Sequence, residues 1–248
     1  MRKTITFIIF FLIISDSVLS VERPFSLDLE AGPVWNTYNK IAIPNDGTAT
    51  KFSLTEAVDI ESKIAFRIKL GYRMAERHSI SLLYAPLSLK GSGTLRSNID
   101  FNEDLFLAGS DIDAVYKFNS YRLTYAYTWI NKPKLKFKVG VTAKIRDAKI
   151  SISDSVTNSV KENIGFVPLL HFDLLWIITD RLSFKTDLDA MIAPQGRAED
   201  LFMGFLLRAS PFLSFKLGYR VVEGGADVTS VYNFACLQYL TTGLIIEL

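Results

Sequence analysis

The chain has 248 residues, 49% of them hydrophobic and 22% charged, with 28 Lys and Arg against 26 Asp and Glu. Its single cysteine, Cys236, excludes an intramolecular disulfide and a cysteine-rich metal site, and a net charge of +2 gives no reason to expect nucleic acid as a partner. The apolar fraction excludes a disordered chain, and a mean hydropathy of +0.21 is high for a soluble domain with so many charges.

At the N-terminus, Arg2 and Lys3 precede an apolar run over residues 4–14, and Val18-Leu19-Ser20 puts compact residues at −3 and −1. This pattern predicts a secretory signal peptide over 1–20, cleaved near Ser20. The run is about 11 residues, against ~20 for a membrane-spanning helix. No cysteine stands at the cleavage region, so a lipoprotein anchor is not expected.

Residues 21–248 read as one domain with the strand period of two. Ile64, Phe66, Ile68, Leu70 and Tyr72 alternate with Lys63, Arg67, Lys69 and Arg73. The same alternation runs through Leu135 to Lys144, Tyr121 to Trp129, Leu182 to Ile192 and Leu213 to Val221. We expect about ten strands, at 25–43, 51–74, 77–90, 111–129, 134–152, 163–178, 182–194, 200–209, 213–222 and 231–248, with eight or twelve as alternatives. The apolar parity flips between Phe118 and Tyr121 and between Ile145 and Ala148. Each flip predicts a β-bulge, and a hairpin at Asn119-Ser120 is the rival for the first. Tight turns are expected near 75–76, 131–133, 179–180 and 210–211, and longer loops at 44–50, 91–110, 153–162, 194–199 and 223–230. That asymmetry, and an even strand count with both termini on the short-turn side, is the pattern of a closed antiparallel transmembrane β-barrel.

Four features favour an apolar face toward lipid. These are the export signal, strands longer than the ~5–6 residue mode of soluble sheets, aromatics near strand ends, and glycines on the charged face. The aromatics are Tyr72, Trp129, Trp176 and Phe184 by the short turns, and Trp35, Tyr116, Phe118 and Tyr232 toward the loops. Gly71, Gly140, Gly204, Gly218 and Gly243 would relieve crowding in a narrow lumen.

The last residues, Thr241, Gly243, Ile246 and Leu248, resemble the outer-membrane assembly signal, although the final residue is aliphatic here where that signal usually has an aromatic. The whole mature chain resembles the Gram-negative outer-membrane β-barrels. Ten strands are similar to the omptin proteases in architecture alone, without their motifs. The resemblance implies a bacterial outer-membrane location, with outer-membrane lipids and the assembly machinery as partners.

For chemistry, the metalloprotease, P-loop, nucleophile-elbow and dinucleotide motifs are missing. Neither a cofactor nor a metal is expected. The best constellation is a hairpin centred on Asp180. There His171 would face Asp189 and Asp173 would face Asp187, all on the charged parity. Imidazole beside carboxylate is the arrangement of a general base with its orienter, and facing carboxylates can share a proton. The pair would lie roughly 20 Å up the barrel. The competing expectation is a structural lumen network in which Arg67, Lys69, Arg122, Lys144, Arg208 and Arg220 neutralise the carboxylates. His78-Ser79 resembles the His and Ser of outer-membrane lipid A deacylases, but adjacent residues point to opposite faces. Asp111 and Asp113 offer oxygen ligands to a divalent cation, or simply open a strand. Cys236 is expected on the apolar face. A non-enzymatic barrel with a filled, charged lumen is the leading functional expectation, with a narrow channel or a lipid or peptide hydrolase or acyltransferase as alternatives.

Overall fold

The structure, a computed structural model, describes residues 23–248, so the expected signal peptide (1–20) lies outside the described residues. The elements run β1 (Phe25–Ala42), β2 (Phe52–Ser53), α1 (Leu54–Ala57), β3 (Asp59–Ile60), β4 (Lys63–Arg73), β5 (His78–Ala85), β6 (Ser88–Thr94), β7 (Ile99–Phe101) and β8 (Asp104–Phe106). They continue with β9 (Asp111–Lys132), β10 (Leu135–Ser153), β11 (Asn158–Ile177), β12 (Leu182–Ala193), β13 (Gly196–Ser210), β14 (Leu213–Val228) and β15 (Val231–Glu247).

Ten antiparallel staves close a barrel. β5 and β6 form one stave interrupted at Pro86, because both pair with β9 in a single register (Ala85 with Ser120, Ser88 with Lys117). β15 pairs with β1, and the ends are tied by Phe25 N–H to the Leu248 carbonyl at 3.1 Å and Leu248 N–H to the Phe25 carbonyl at 2.9 Å. Closure leaves no strand edge of the ladder open at the seam. Both ends of the described barrel, Phe25 and Glu247, lie with the turns at 74–77, 133–134, 178–181 and 211–212.

At the far end only two connections are long, 43–62 and 95–110. The expected loops at 153–162, 194–199 and 223–230 are instead mostly strand, joined by tight turns at 154–157, 194–195 and 229–230. Asp154 closes the first by accepting the N–H groups of Val156 at 2.8 Å and Thr157 at 2.7 Å. Of the expected strand 51–74, only Lys63–Arg73 is a stave of the barrel. Residues 52–60 fold inward as β2, α1 and β3.

Neither parity flip is a bulge. β9 and β10 stay in register from Phe118–Ala148 through Tyr121–Ile145. The register shifts lie at 36–38, 137–138 and 208–210 instead. What inverts is the chemistry of the two faces. Ser120, Arg122, Thr124 and Thr128 point inward below the inversion, while Ile112, Ala114, Tyr116 and Phe118 point inward above it. Tyr121, Leu123, Tyr125 and Trp129 face outward below it, and Asp111, Asp113 and Lys117 do so above. A strand that leaves hydrocarbon for water must exchange an apolar exterior for a polar one, and its interior is then free to become an ordinary apolar core.

The outward apolar belt runs from Trp129, Trp176 and Tyr72 to Tyr121, Tyr84, Ile145 and Phe166, all exposed. Eight residues of β9 between Trp129 and Tyr121, tilted ~40°, make it ~20 Å tall. Tyr84 and Tyr121 stack at 5.3 Å and Trp35 meets Tyr219 at 6.2 Å, forming the outer girdle. Tyr116 and Phe118, expected in that girdle, point into the barrel, with Tyr116 only 4% exposed.

Above the belt the two long connections plug one side of the barrel. Leu54, Val58, Leu89, Leu95, Ile99, Phe101 and Phe106 pack with Val34, Ile41, Ile112, Ile150 and Ile152 in one apolar cluster. The β7–β8 turn, with positive φ at Asn102 (51°) and Glu103 (74°), fits the two-residue hairpin type that needs both. Asn102 N–H donates to the Ile43 carbonyl at 2.6 Å and its amide side chain to the Val160 carbonyl at 3.3 Å, fixing the plug between β1 and β11.

Candidate functional site

The belt-level lumen is built from inward positions of every second residue, and those positions carry the charges. Asp200, 2% exposed, accepts from Arg67 Nη2 at 2.9 Å, from Arg122 Nη2 at 2.6 Å and from Arg220. Arg220 also donates to Glu30 at 2.6 Å, and Lys216 bridges Glu30 and Asp28 at 2.8 Å each. Arg122 reaches Asp189 at 2.7 Å. Below, Lys69 pairs with Asp187 at 2.9 Å, and Lys185 pairs with Asp173. Six carboxylates thus meet six cations in one layered network. Charges this deep persist because they are paired and hydrogen-bonded.

Phe202, fully buried, fills the remaining space, with Lys216 Nζ 4.6 Å and the Arg220 guanidinium 5.2 Å from its ring centroid. Gly204 and Gly218 face each other across β13 and β14. A Cβ at either would come within 2.6 Å of the Phe202 ring, so the two glycines make the slot the ring occupies.

The hairpin arithmetic holds: His171 pairs with Asp189 and Asp173 with Asp187. His171 Nδ1 lies 2.8 Å from Asp189 Oδ1, and the ring is 3% exposed. Asp189 also accepts from Arg122 and from Thr142 Oγ1 at 2.9 Å, and Thr142 is itself in contact with Thr124 at 2.8 Å. Asp173 and Asp187 each pair with their own lysine, Lys185 and Lys69. Of the cations expected to neutralise the carboxylates, Arg67, Lys69, Arg122 and Arg220 do so. Arg208 stands exposed at the rim on the side of the termini, and Lys144 has no carboxylate partner among the described residues.

The other expectations resolve simply. His78 Nδ1 meets Tyr125 Oη outside at 2.7 Å, while Ser79 Oγ reaches the Ala126 carbonyl at 3.4 Å, on the opposite face. Asp111 accepts from Thr94 Oγ1 at 2.5 Å at a strand start, and no group of three metal-ligating side chains is found among the described residues. Cys236 is on the outward parity and buried.

Two cavities flank the network. The lower one, about 480 Å³, opens toward the termini and has His171, Asp173, Lys69 and Lys185 in its walls. The upper one, about 410 Å³, lies between the plug and β10–β15. Its walls combine Tyr116, Phe118, Ile150, Met191, Val222 and Leu237 with Lys144, Arg146 and Lys161. At its rim Glu223 is held by Arg197 at 2.7 and 2.8 Å and by the Tyr38 hydroxyl. Burial alone would raise that carboxyl, but these hydrogen bonds outweigh it and keep it below its ordinary value.

Sequence reasoning missed Asp28, Glu30, Asp200 and Phe202 as lumen members, and it missed the upper cavity. The glycine pair on the lumen parity was the available signal for Phe202.

No family model matches the chain, and no curated protein sequence matches it. Among solved structures, the outer membrane protease OmpT from Escherichia coli aligns with a TM-score of 0.57 at 8% identity, over 94% of this chain and 99% of that one. Neisserial surface protein A aligns at a TM-score of 0.37 and 15% identity, over 90% and 97% of the two chains. The attachment invasion locus protein Ail of Yersinia pestis aligns at 0.39 and 9%, over 90% and 99%. At 8% identity the likeness to OmpT is one of fold: a closed, ten-stranded β-barrel of the Gram-negative outer-membrane class.

Proposed function

We propose that this protein is a non-catalytic outer-membrane barrel, sealed through its membrane-spanning layer, that receives a ligand in the upper cavity. One observation carries the reading. The charge network and Phe202 close the lumen at belt level, while a 410 Å³ cavity stays open above it on the side away from the termini. A network with matched charges and every carboxylate engaged supports a structural floor rather than an ion path. The location follows from the outward apolar belt and from the fold class, with export by the expected signal peptide and assembly through Thr241, Gly243, Ile246 and Leu248.

Native mass spectrometry of protein extracted from membranes in mild detergent tests the binding reading. The wild type is expected to carry a co-purifying ligand that is lost from Ala148→Trp, which fills the upper cavity. A ligand-free wild type that also takes up none from a membrane lipid extract would refute it.

A second reading has a specific observation behind it. His171, held by Asp189, borders the lower cavity, which is where a base and its orienter would meet a small substrate. A hydrolytic activity on lipid or peptide that disappears in His171→Asn, with folding intact, would favour it.

A further inference from the structure

We propose that the wall between β11 and β12 is a lateral entrance, through which an anionic amphiphile (one acyl chain with a carboxylate or phosphate head) passes from the outer half of the bilayer into the upper cavity. This rests on the cavity being a binding site, as argued above.

The first observation is a gap in the barrel wall. The β11–β12 ladder runs from Ile177–Ser183 to Leu170–Ala190 and stops. On its other edge β11 continues in register with β10 up to Asn158. Pro168 stands two residues beyond the last β11–β12 pair, and proline has no N–H to give a ladder. Both lips of the gap, Phe166 and Pro168 on one side and Met191 and Ala193 on the other, line the same cavity. Phe166 and Pro168 are on the outward parity of β11 and are exposed. A cavity that touches outward residues of one strand and inward residues of the next passes through the wall.

The second observation is height. Phe166 pairs with Ile145, and Ile145 pairs with Tyr121 of the outer girdle. The opening therefore sits at the upper margin of the apolar belt, where its neighbour is lipid hydrocarbon beneath the head groups.

The third is uncompensated charge. The six cations of the floor network each have a carboxylate partner, whereas Lys144, Arg146 and Lys161 of the cavity wall have none among the described residues. Lys144 is 3% exposed, and no carboxylate lies within ion-pair distance of it among the described residues; its Nζ sits 4.8 Å from the Phe118 ring centroid. Arg146 has one contact, to Asn163 Oδ1 at 2.6 Å, and its Nε is buried without an acceptor. Lys161 lines the same space. A buried ammonium and a half-buried guanidinium without a counter-ion call for an anion, while the apolar walls call for hydrocarbon. An inorganic anion would satisfy only the first demand, a neutral lipid only the second.

The test uses the refolded barrel in a non-ionic detergent with cis-parinaric acid, a fluorescent 18-carbon carboxylate, and its methyl ester. The acid is expected to bind saturably at one site, at least tenfold tighter than the ester. Lys144→Gln and, separately, Arg146→Gln should each weaken the acid about tenfold and leave the ester unchanged. For the route, a bulky maleimide on Pro168→Cys in a Cys236→Ser background should slow association at least tenfold. Equal binding of acid and ester, untouched by either substitution, overturns the anionic head while leaving the cavity reading intact. An unchanged association rate in the labelled variant overturns the lateral route. If the wild type binds neither probe and carries no ligand by mass spectrometry, both readings fall together.

Discussion

Replacing Asp200 by Asn is the sharpest perturbation of the barrel. Asp200 accepts from Arg67, Arg122 and Arg220, and all four groups are buried. The amide keeps the volume and removes the charge, leaving three guanidinium groups to share Glu30 and Asp189. Breaking a buried pair by removing one partner costs about 3–5 kcal/mol, because the survivors stay buried and under-compensated. Water in the flanking cavities moves this toward the lower end, about 3 kcal/mol. With an m-value near 2 kcal/mol/M in urea, the unfolding midpoint in lipid vesicles should fall by about 1.5 M. Asp173→Asn is the internal control. Asp173 has one ion-pair partner, Lys185, at the edge of the lower cavity, so its loss should cost about 1 kcal/mol. The reasoning is refuted if Asp200→Asn unfolds within 0.3 M of wild type, or if Asp173→Asn is the more damaging of the two.

Other consequences follow from the same geometry. Phe202→Ala should destabilise by about 3–5 kcal/mol, as truncation of a fully buried aromatic does, and Gly204→Val should abolish refolding because the new side chain meets the Phe202 ring; a normally folded Gly204→Val barrel would contradict the packing. Ile68 faces outward between Leu29 and Tyr84, so Ile68→Lys should cost ~2–4 kcal/mol near the midplane, more than Lys69→Gln, and equal costs in a refolding assay would reverse the assignment of faces. In a Cys236→Ser background, Lys117→Cys should react with a water-soluble maleimide and Tyr116→Cys should not; the opposite pattern would restore a bulge at 118–121. Deleting residues 243–248 removes five register pairs of the closing seam with β1 and the Leu248–Phe25 hydrogen bonds, so the truncated chain should fail to enter the outer membrane, as cell fractionation would show.

The strands were legible because one face meets lipid and the other meets charge, which is the condition under which period-two patterning is strongest. The same condition explains where legibility ended. Above Tyr121 and Ile145 the surroundings change from lipid to water, the two faces exchange character, and an unbroken strand presents the pattern of a bulge. Glu199 and Glu223, polar because they are outside and above lipid, made real strands resemble loops. The His171–Asp189 pair could be placed because both residues lie on one short hairpin. Lys216 with Glu30 could not, since 186 positions separate them and only closure of the barrel makes them neighbours. Phe202 breaks the polar pattern of the inward parity, and its fit depends on two glycines from different strands. The upper cavity depends on where β12 stops relative to β11, which no local pattern reports.

The most direct test of a sealed membrane layer is planar-bilayer conductance of the refolded wild-type protein in concentrated KCl, measured beside Phe202→Ala. The account predicts no resolved conductance steps from the wild type, because six ion-paired carboxylates and the Phe202 ring close the lumen. It predicts small, flickering steps from Phe202→Ala, where the ring is removed. Stable, wild-type steps that Phe202→Ala leaves unchanged would show an open path past the network and contradict the sealed barrel.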